Sequence, residues 1–160
     1  MEQESILIVE DETSMAKQLK WGLSDDYAVD IAAEAGAANA YLNEHHPAVV
    51  LLDLGLPPFP DGAEEGLRLL DEIVRDKRYL KVIVITGNTD RETAVKAIAL
   101  GAYDFHLKPV VLDELKIIIK RAIYLSKLER QVAEYKCMAR ETLFQGMIAT
   151  TRPMMQLFEL

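Results

Sequence analysis

Short unbroken apolar runs alternate along the chain with stretches of helical period. Ser5–Val9 (SILIV), Ala48–Leu52 (AVVLL) and Val82–Ile85 (VIVI) are runs of this kind, with weaker ones at Tyr27–Ala32 and Tyr103–Leu107. A strand with one wet face alternates apolar and polar residues. A continuous Val/Ile/Leu run marks a strand covered on both faces, as in a parallel sheet. Helical spacing fills the gaps at 13–24, 36–45, 62–77, 91–100 and from 112 onward. Thr13 stands as a cap ahead of the first helix, and Thr89-Asp90-Arg91-Glu92 sets a cap residue three positions before a glutamate. Gly101 follows the fourth helix as a stop. A β-α unit repeated five times predicts an α/β fold with a doubly wound five-stranded parallel sheet.

The last helical pattern outruns that domain. From Leu112 it continues to about Glu141 with no Gly or Pro. Leu125, Leu128, Val132, Tyr135, Ala139 and Thr142 recur at alternating three- and four-residue spacings. That is a short heptad seam, and it predicts an extended C-terminal helix forming a homodimer with a second chain. Gly146 and Pro153 are expected to break the helix. The expected organisation is an α/β domain over 1–124 and a helical linker over 125–143. Residues 144–160 are the start of a truncated output domain or a disordered tail. Their apolar character requires a partner or a continuation, so the chain is expected to be cut from a longer protein.

Half of the 160 residues are apolar and 28% are charged, which excludes disordered, collagen-like and disulfide-scaffold classes. The single cysteine, Cys137, cannot form an internal disulfide, so a reducing cytoplasmic home is the expectation. No apolar stretch approaches the roughly 20 residues of a membrane span, and the polar start MEQES carries no signal-peptide pattern. Residues 1–108 hold 20 acidic and 10 basic side chains, a net of −10, whereas 109–160 hold 6 and 8, a net of +2. The acidic part repels a phosphate backbone, so direct nucleic-acid binding is not expected. A carboxylate site for a divalent cation fits better.

In a doubly wound sheet the ligand site lies outside the C-terminal strand ends, at the switch point of the strand order. Four features sit there: Glu10-Asp11-Glu12, Asp53, Thr86-Gly87 and Lys108-Pro109. Strand order 2-1-3-4-5 brings Glu10, Asp11 and Asp53 together. Three converging carboxylates repel unless a cation sits among them, and Mg²⁺ accepts such an incomplete oxygen cage. Asp53 suits an acyl-phosphate nucleophile. Lys108 and Thr86 suit the charge and hydrogen bond that a phosphoryl group needs.

The ordered set Glu10-Asp11, Asp53, Thr86 and Lys108-Pro109 resembles the receiver domain of two-component response regulators, over about residues 4–124. The resemblance implies a flavodoxin-like fold, phosphorylation of Asp53 by a histidine kinase, and Mg²⁺ held by Asp11, Asp53 and the backbone carbonyl of Gly55. Glu10 would act through a coordinated water. Thr86 matches the switch hydroxyl, Phe105 the switch aromatic, and Lys108-Pro109 a cis peptide. Glu10 departs from the commoner aspartate. The loop after Asp53, LGLPPFPDGAEEGLRLL, is longer than usual. It resembles that of regulators linked to exopolysaccharide and PEP-CTERM protein-sorting loci. Gly146-Met147-Ile148-Ala149 and Pro153-Met154-Met155 resemble the entry to the ATPase domain of sigma-54-dependent activators. ATPase and DNA-binding output domains are therefore implied in a longer chain, although no Walker lysine motif is present.

Rival functions fit less well. An aspartyl-phosphate phosphatase places a second aspartate where Gly55 stands. A phosphorylation-independent interaction module would have no use for Asp53, Thr86 and Lys108 together. A dinucleotide site would need a glycine-rich turn where the acids follow the first strand. Other residues have ordinary readings: Trp21 core-facing, His106 exposed, His45-His46 at a helix end, Cys137 a passive linker residue. The series Lys116, Lys120, Arg121, Lys127 and Arg130 reads as a solvated helix face.

Overall fold

The computed structural model describes residues 2–58, 62–77, 79–87 and 91–149, the last three without their side chains. Elements alternate as β1 (Ser5–Val9), α1 (Thr13–Leu23), β2 (Ala28–Ala32), α2 (Ala35–Glu44), β3 (Val49–Asp53), α3 (Glu64–Asp76), β4 (Lys81–Thr86), α4 (Arg91–Leu100), β5 (Asp104–Leu107) and α5 (Leu112–Ala149). The Thr89-Asp90 cap, the Pro153 break and the rest of the tail lie outside the described residues.

The strands form one sheet of order β2-β1-β3-β4-β5, with every pair parallel. This is the doubly wound, flavodoxin-like arrangement that the alternating pattern implies. Strand residues divide by parity between two cores. Leu7, Val9, Val50, Leu52, Val82 and Val84 join side chains of α2, α3 and α4, while Ile6, Ile8, Val49, Leu51, Ile83 and Ile85 join those of α1 and α5. Two buried faces explain why the strand sequences are continuously apolar. Each fully buried Leu or Ile side chain contributes roughly 1.5–3 kcal/mol of transfer free energy.

The C-terminal end of α4 follows a local rule. Gly101 has φ +113° and donates its N–H to Ile98 O, while Ala102 N–H reaches Ala97 O. That pair of bonds is the Schellman arrangement, and the left-handed residue in it is the glycine. At α1, Glu12 takes the cap position and Thr13 is already helical.

Two further expectations about the helices fail. Trp21 is 83% exposed, not core-facing. The inward stripe of α1 is Ala16, Leu19 and Leu23, and a residue two beyond Leu19 points about 200° away from it. Gly146 does not end α5, which continues to Ala149. A glycine costs a helix only about 1 kcal/mol relative to alanine, and good helix formers flank this one.

The chain divides into two compact units, Met1–Ser126 and Lys127–Leu160. In the first, Leu115, Ile119, Ala122 and Ile123 of α5 are buried, and Ser126 Oγ donates to Tyr79 O. In the second, the described residues belong to α5 alone, and their apolar side chains Val132, Tyr135, Met138, Leu143 and Phe144 are exposed. Among the described residues no helix is long and apolar enough to cross a membrane.

Candidate functional site

The acidic pocket forms where β1 and β3, neighbours at the switch point, end together. Asp53 is the last residue of β3, and Glu10 and Asp11 follow β1 directly. Carboxylate oxygens of Glu10, Asp11 and Asp53 all lie within 4.8 Å of one another. Glu10 and Asp53 are buried, Asp11 only partly. Backbone donors orient two of the three. Gly55 N–H donates to Asp53 Oδ1 at 3.1 Å, and Glu12 N–H to Glu10 Oε1 at 3.1 Å.

Lys108 enters from just beyond β5. Its Nζ donates to Glu10 Oε2 at 3.0 Å and to Asp53 Oδ2 at 3.2 Å. The Lys108-Pro109 bond is cis, as is Pro57-Pro58. Lys108 N–H donates to Thr86 O, so the end of β4 is tied to the same corner. Thr86 is buried at that end. Phe105 pairs with Val84, two residues before Thr86, and is half-buried against the core on that face.

Three carboxylates face one ammonium, so the pocket's own side chains sum to excess negative charge. Burial, and then the proximity of Asp53, push the Glu10 carboxyl from 4.5 to about 7 against the opposing hydrogen bond from Lys108. For Lys108, burial alone lowers the ammonium pKa. Its bonds to Glu10 and Asp53 outweigh burial and leave it raised. The residues fit a hard divalent cation, because all donors are oxygens and the cation supplies the charge the pocket lacks.

The structure thus brings together Glu10, Asp11, Asp53 and Lys108, with the backbone of Thr86 tied to Lys108 at the end of β4. The Glu10–Lys108 contact was not foreseen. Its signal was the extra methylene of glutamate over aspartate, which lengthens the reach. Gly66 was also missed. A Cβ there would lie 2.3 Å from Leu54 Cα, so α3 packs directly on the backbone beside Asp53. His106 is half-buried, not exposed, and its Nε2 has no hydrogen-bond partner among the described residues. It pairs in register with Ile85, so it shares the face covered by α1 and α5. His45 caps α2 and stacks on Tyr41 with ring centroids 4.3 Å apart.

Residues 6–120 match the response regulator receiver domain. The chain belongs to that family. This receiver domain is 38% identical over 133 residues to the nitrogen assimilation regulatory protein NtrX of Azorhizobium caulinodans, covering 82% of this chain and 28% of that protein. It is 32% identical to the regulatory protein AtoC of Escherichia coli, covering 94% of this chain and 32% of that one. Among solved structures, NtrX from Brucella abortus in complex with ADP superposes with TM-score 0.75 at 38% identity, covering 84% of this chain and 30% of that chain. A CheY-like receiver domain from Methanospirillum hungatei gives TM-score 0.73 at 30% identity, covering 80% and 99%. The chain therefore spans about a third or less of the two curated relatives. It is the receiver domain of a two-component response regulator, a signalling domain of the NtrX and AtoC kind.

Proposed function

We propose that Asp53 accepts a phosphoryl group from a histidine kinase and that the resulting charge switches the domain. The observation that carries this reading is the bridge from Lys108 to Asp53 inside the three-carboxylate pocket. Asp53 attacks phosphorus in line, the new O–P bond forms, and the N–P bond to the kinase imidazole breaks. The imidazole leaves and takes up a proton. Asp11, Asp53 and the Gly55 carbonyl would hold Mg²⁺, with Glu10 acting through water, and the bound ion would supply positive charge against the phosphoryl oxygens. Lys108 exchanges its carboxylate partners for a phosphoryl oxygen, and the Thr86 hydroxyl donates to another. Thr86 moves toward the phosphoryl group, and Phe105 follows into the space it leaves. The face formed by α4, β5 and α5 carries the change onward.

The switch occupies residues 1–124. A helical linker over 125–143 forms a homodimer through the C-terminal helix. The chain from 144 leads toward an output part with ATPase and DNA-binding domains, in a cytoplasmic, sigma-54-dependent activator of transcription. The small share of the relatives' length that this chain spans supports that context.

Intact-mass measurement after incubation with a small acyl-phosphate donor tests the reading, with and without Mg²⁺. The expected result is one phosphoryl increment that needs Mg²⁺ and is absent from Asp53→Asn. An equal increment in Asp53→Asn rejects the assignment.

A further inference from the structure

The second unit, considered alone, is a helix with an uncovered apolar stripe. Leu128 is 39% exposed, Val132 51%, Tyr135 77% and Leu143 57%. Ala139 lies between the last two and is exposed as well. Most helical stability in proteins comes from packing an apolar face, and an apolar stripe is what a partner helix covers.

The spacing of that stripe is informative. Leu128, Val132, Tyr135, Ala139 and Leu143 are separated by four, three, four and four residues. A strict heptad would continue from Ala139 to Thr142. The apolar residue is instead Leu143, one position on and about 100° further round the helix. From Val132 to Leu143 is one eleven-residue repeat. Eleven residues over three turns relax or reverse the left-handed supercoil that a heptad imposes.

Resting on the proposed homodimer, we propose that the occupant of this stripe is the same stripe of a second copy, parallel and in register. In this pairing the seam leaves the heptad after Ala139 and packs Leu143, not Thr142, against its mate. Identical stripes in register are self-complementary. Val132 at the first core position with Leu128 at the other favours two parallel strands. The residues that cross beside the seam in a parallel pair, Gln131 and Lys136, bring no like charges together. Charged Arg130, Glu134, Arg140 and Glu141 stand off the seam, as does Cys137. The consequence is a pair of helices that straightens toward its C-terminal end. The pair then hands on the downstream chain at a rotation different from heptad continuation.

Disulfide trapping in the 160-residue chain tests this. Single cysteines replace Val132, Thr142 or Leu143 in a Cys137→Ser background, with oligomer mass followed by light scattering with and without beryllofluoride. The expected result is rapid self-cross-linking of Val132→Cys and Leu143→Cys, with Thr142→Cys several-fold slower. Faster trapping at Thr142 than at Leu143 overturns the change of phase and leaves the dimer standing. A dimer that traps at none of the three overturns the parallel, in-register seam. A monomer in both states overturns the homodimer reading, and the seam with it.

Discussion

Lys108 Nζ lies 3.2 Å from Asp53 Oδ2 although β4 runs between the strands that carry them. The lysine reaches over the end of β4 and holds Glu10 in the same grip, at 3.0 Å. It is the one cation among these partners, so its removal leaves paired charges uncompensated. Lys108→Met should cost the metal-free domain about 1–3 kcal/mol, less than a fully buried pair because the side chain is 23% exposed. The loss should shrink when Mg²⁺ is added. Phosphoryl loading should fall by roughly tenfold or more. Urea unfolding and intact mass measure the two effects; an unchanged loading rate rejects the role given to Lys108.

Glu10 makes the domain sensitive to pH in a defined window. Its carboxyl titrates near 7 in the folded chain against 4.5 ordinarily, chiefly because it is buried and next because of Asp53. Between those values the folded chain keeps a proton that the unfolded chain has released. Folded-state stability therefore falls as pH rises from about 4.5 to about 7. Lys108 adds no slope there. Its pKa is raised from 10.5, so its stabilisation is fully present below 10.5 and is lost as pH rises through the raised value. Thermal unfolding without metal, wild type against Glu10→Gln, isolates the effect. The wild type should lose its advantage across the window, and a flat difference curve rejects the shift. Bound Mg²⁺ should weaken the slope, because it favours the ionised carboxylate.

The sheet was readable because its strands are covered on both faces, and such strands announce themselves as unbroken runs like Val49-Val50-Leu51-Leu52. The pocket was readable because a doubly wound order fixes where strand ends meet. Glu10, Asp11 and Asp53 are then placed by their positions alone. Distance and partner were not readable. The reach of Lys108 to Glu10 depends on side-chain length and on the closeness of β5 to β4. The face of Trp21 depends on which stripe of α1 meets the sheet, and that stripe is short and built partly of alanine.

Trp21 provides a direct check, since it is the chain's single tryptophan. At 83% exposure, its indole should emit as a solvated fluorophore, with almost no shift on unfolding. Trp21→Ala should change stability by no more than about 0.5 kcal/mol. A blue-shifted emission that reddens on denaturation rejects the outward orientation in solution.

Two glycines should respond to the same substitution with opposite signs. A Cβ at Gly66 would meet Leu54 Cα at 2.3 Å and its carbonyl oxygen at 2.5 Å. These are backbone atoms that cannot swing aside, so Gly66→Ala must push α3 off the segment after Asp53. The cost should be about 1–3 kcal/mol. Phosphoryl loading should fall as well, because the Gly55 N–H that orients Asp53 belongs to the displaced segment. At Gly146 nothing lies within 4 Å of the corresponding position. Gly146→Ala should therefore strengthen the helix by up to about 1 kcal/mol. Urea unfolding measures the first and far-ultraviolet circular dichroism the second. A Gly66→Ala domain as stable as wild type would mean that α3 does not press on Leu54, and the support proposed for Asp53 would go with it.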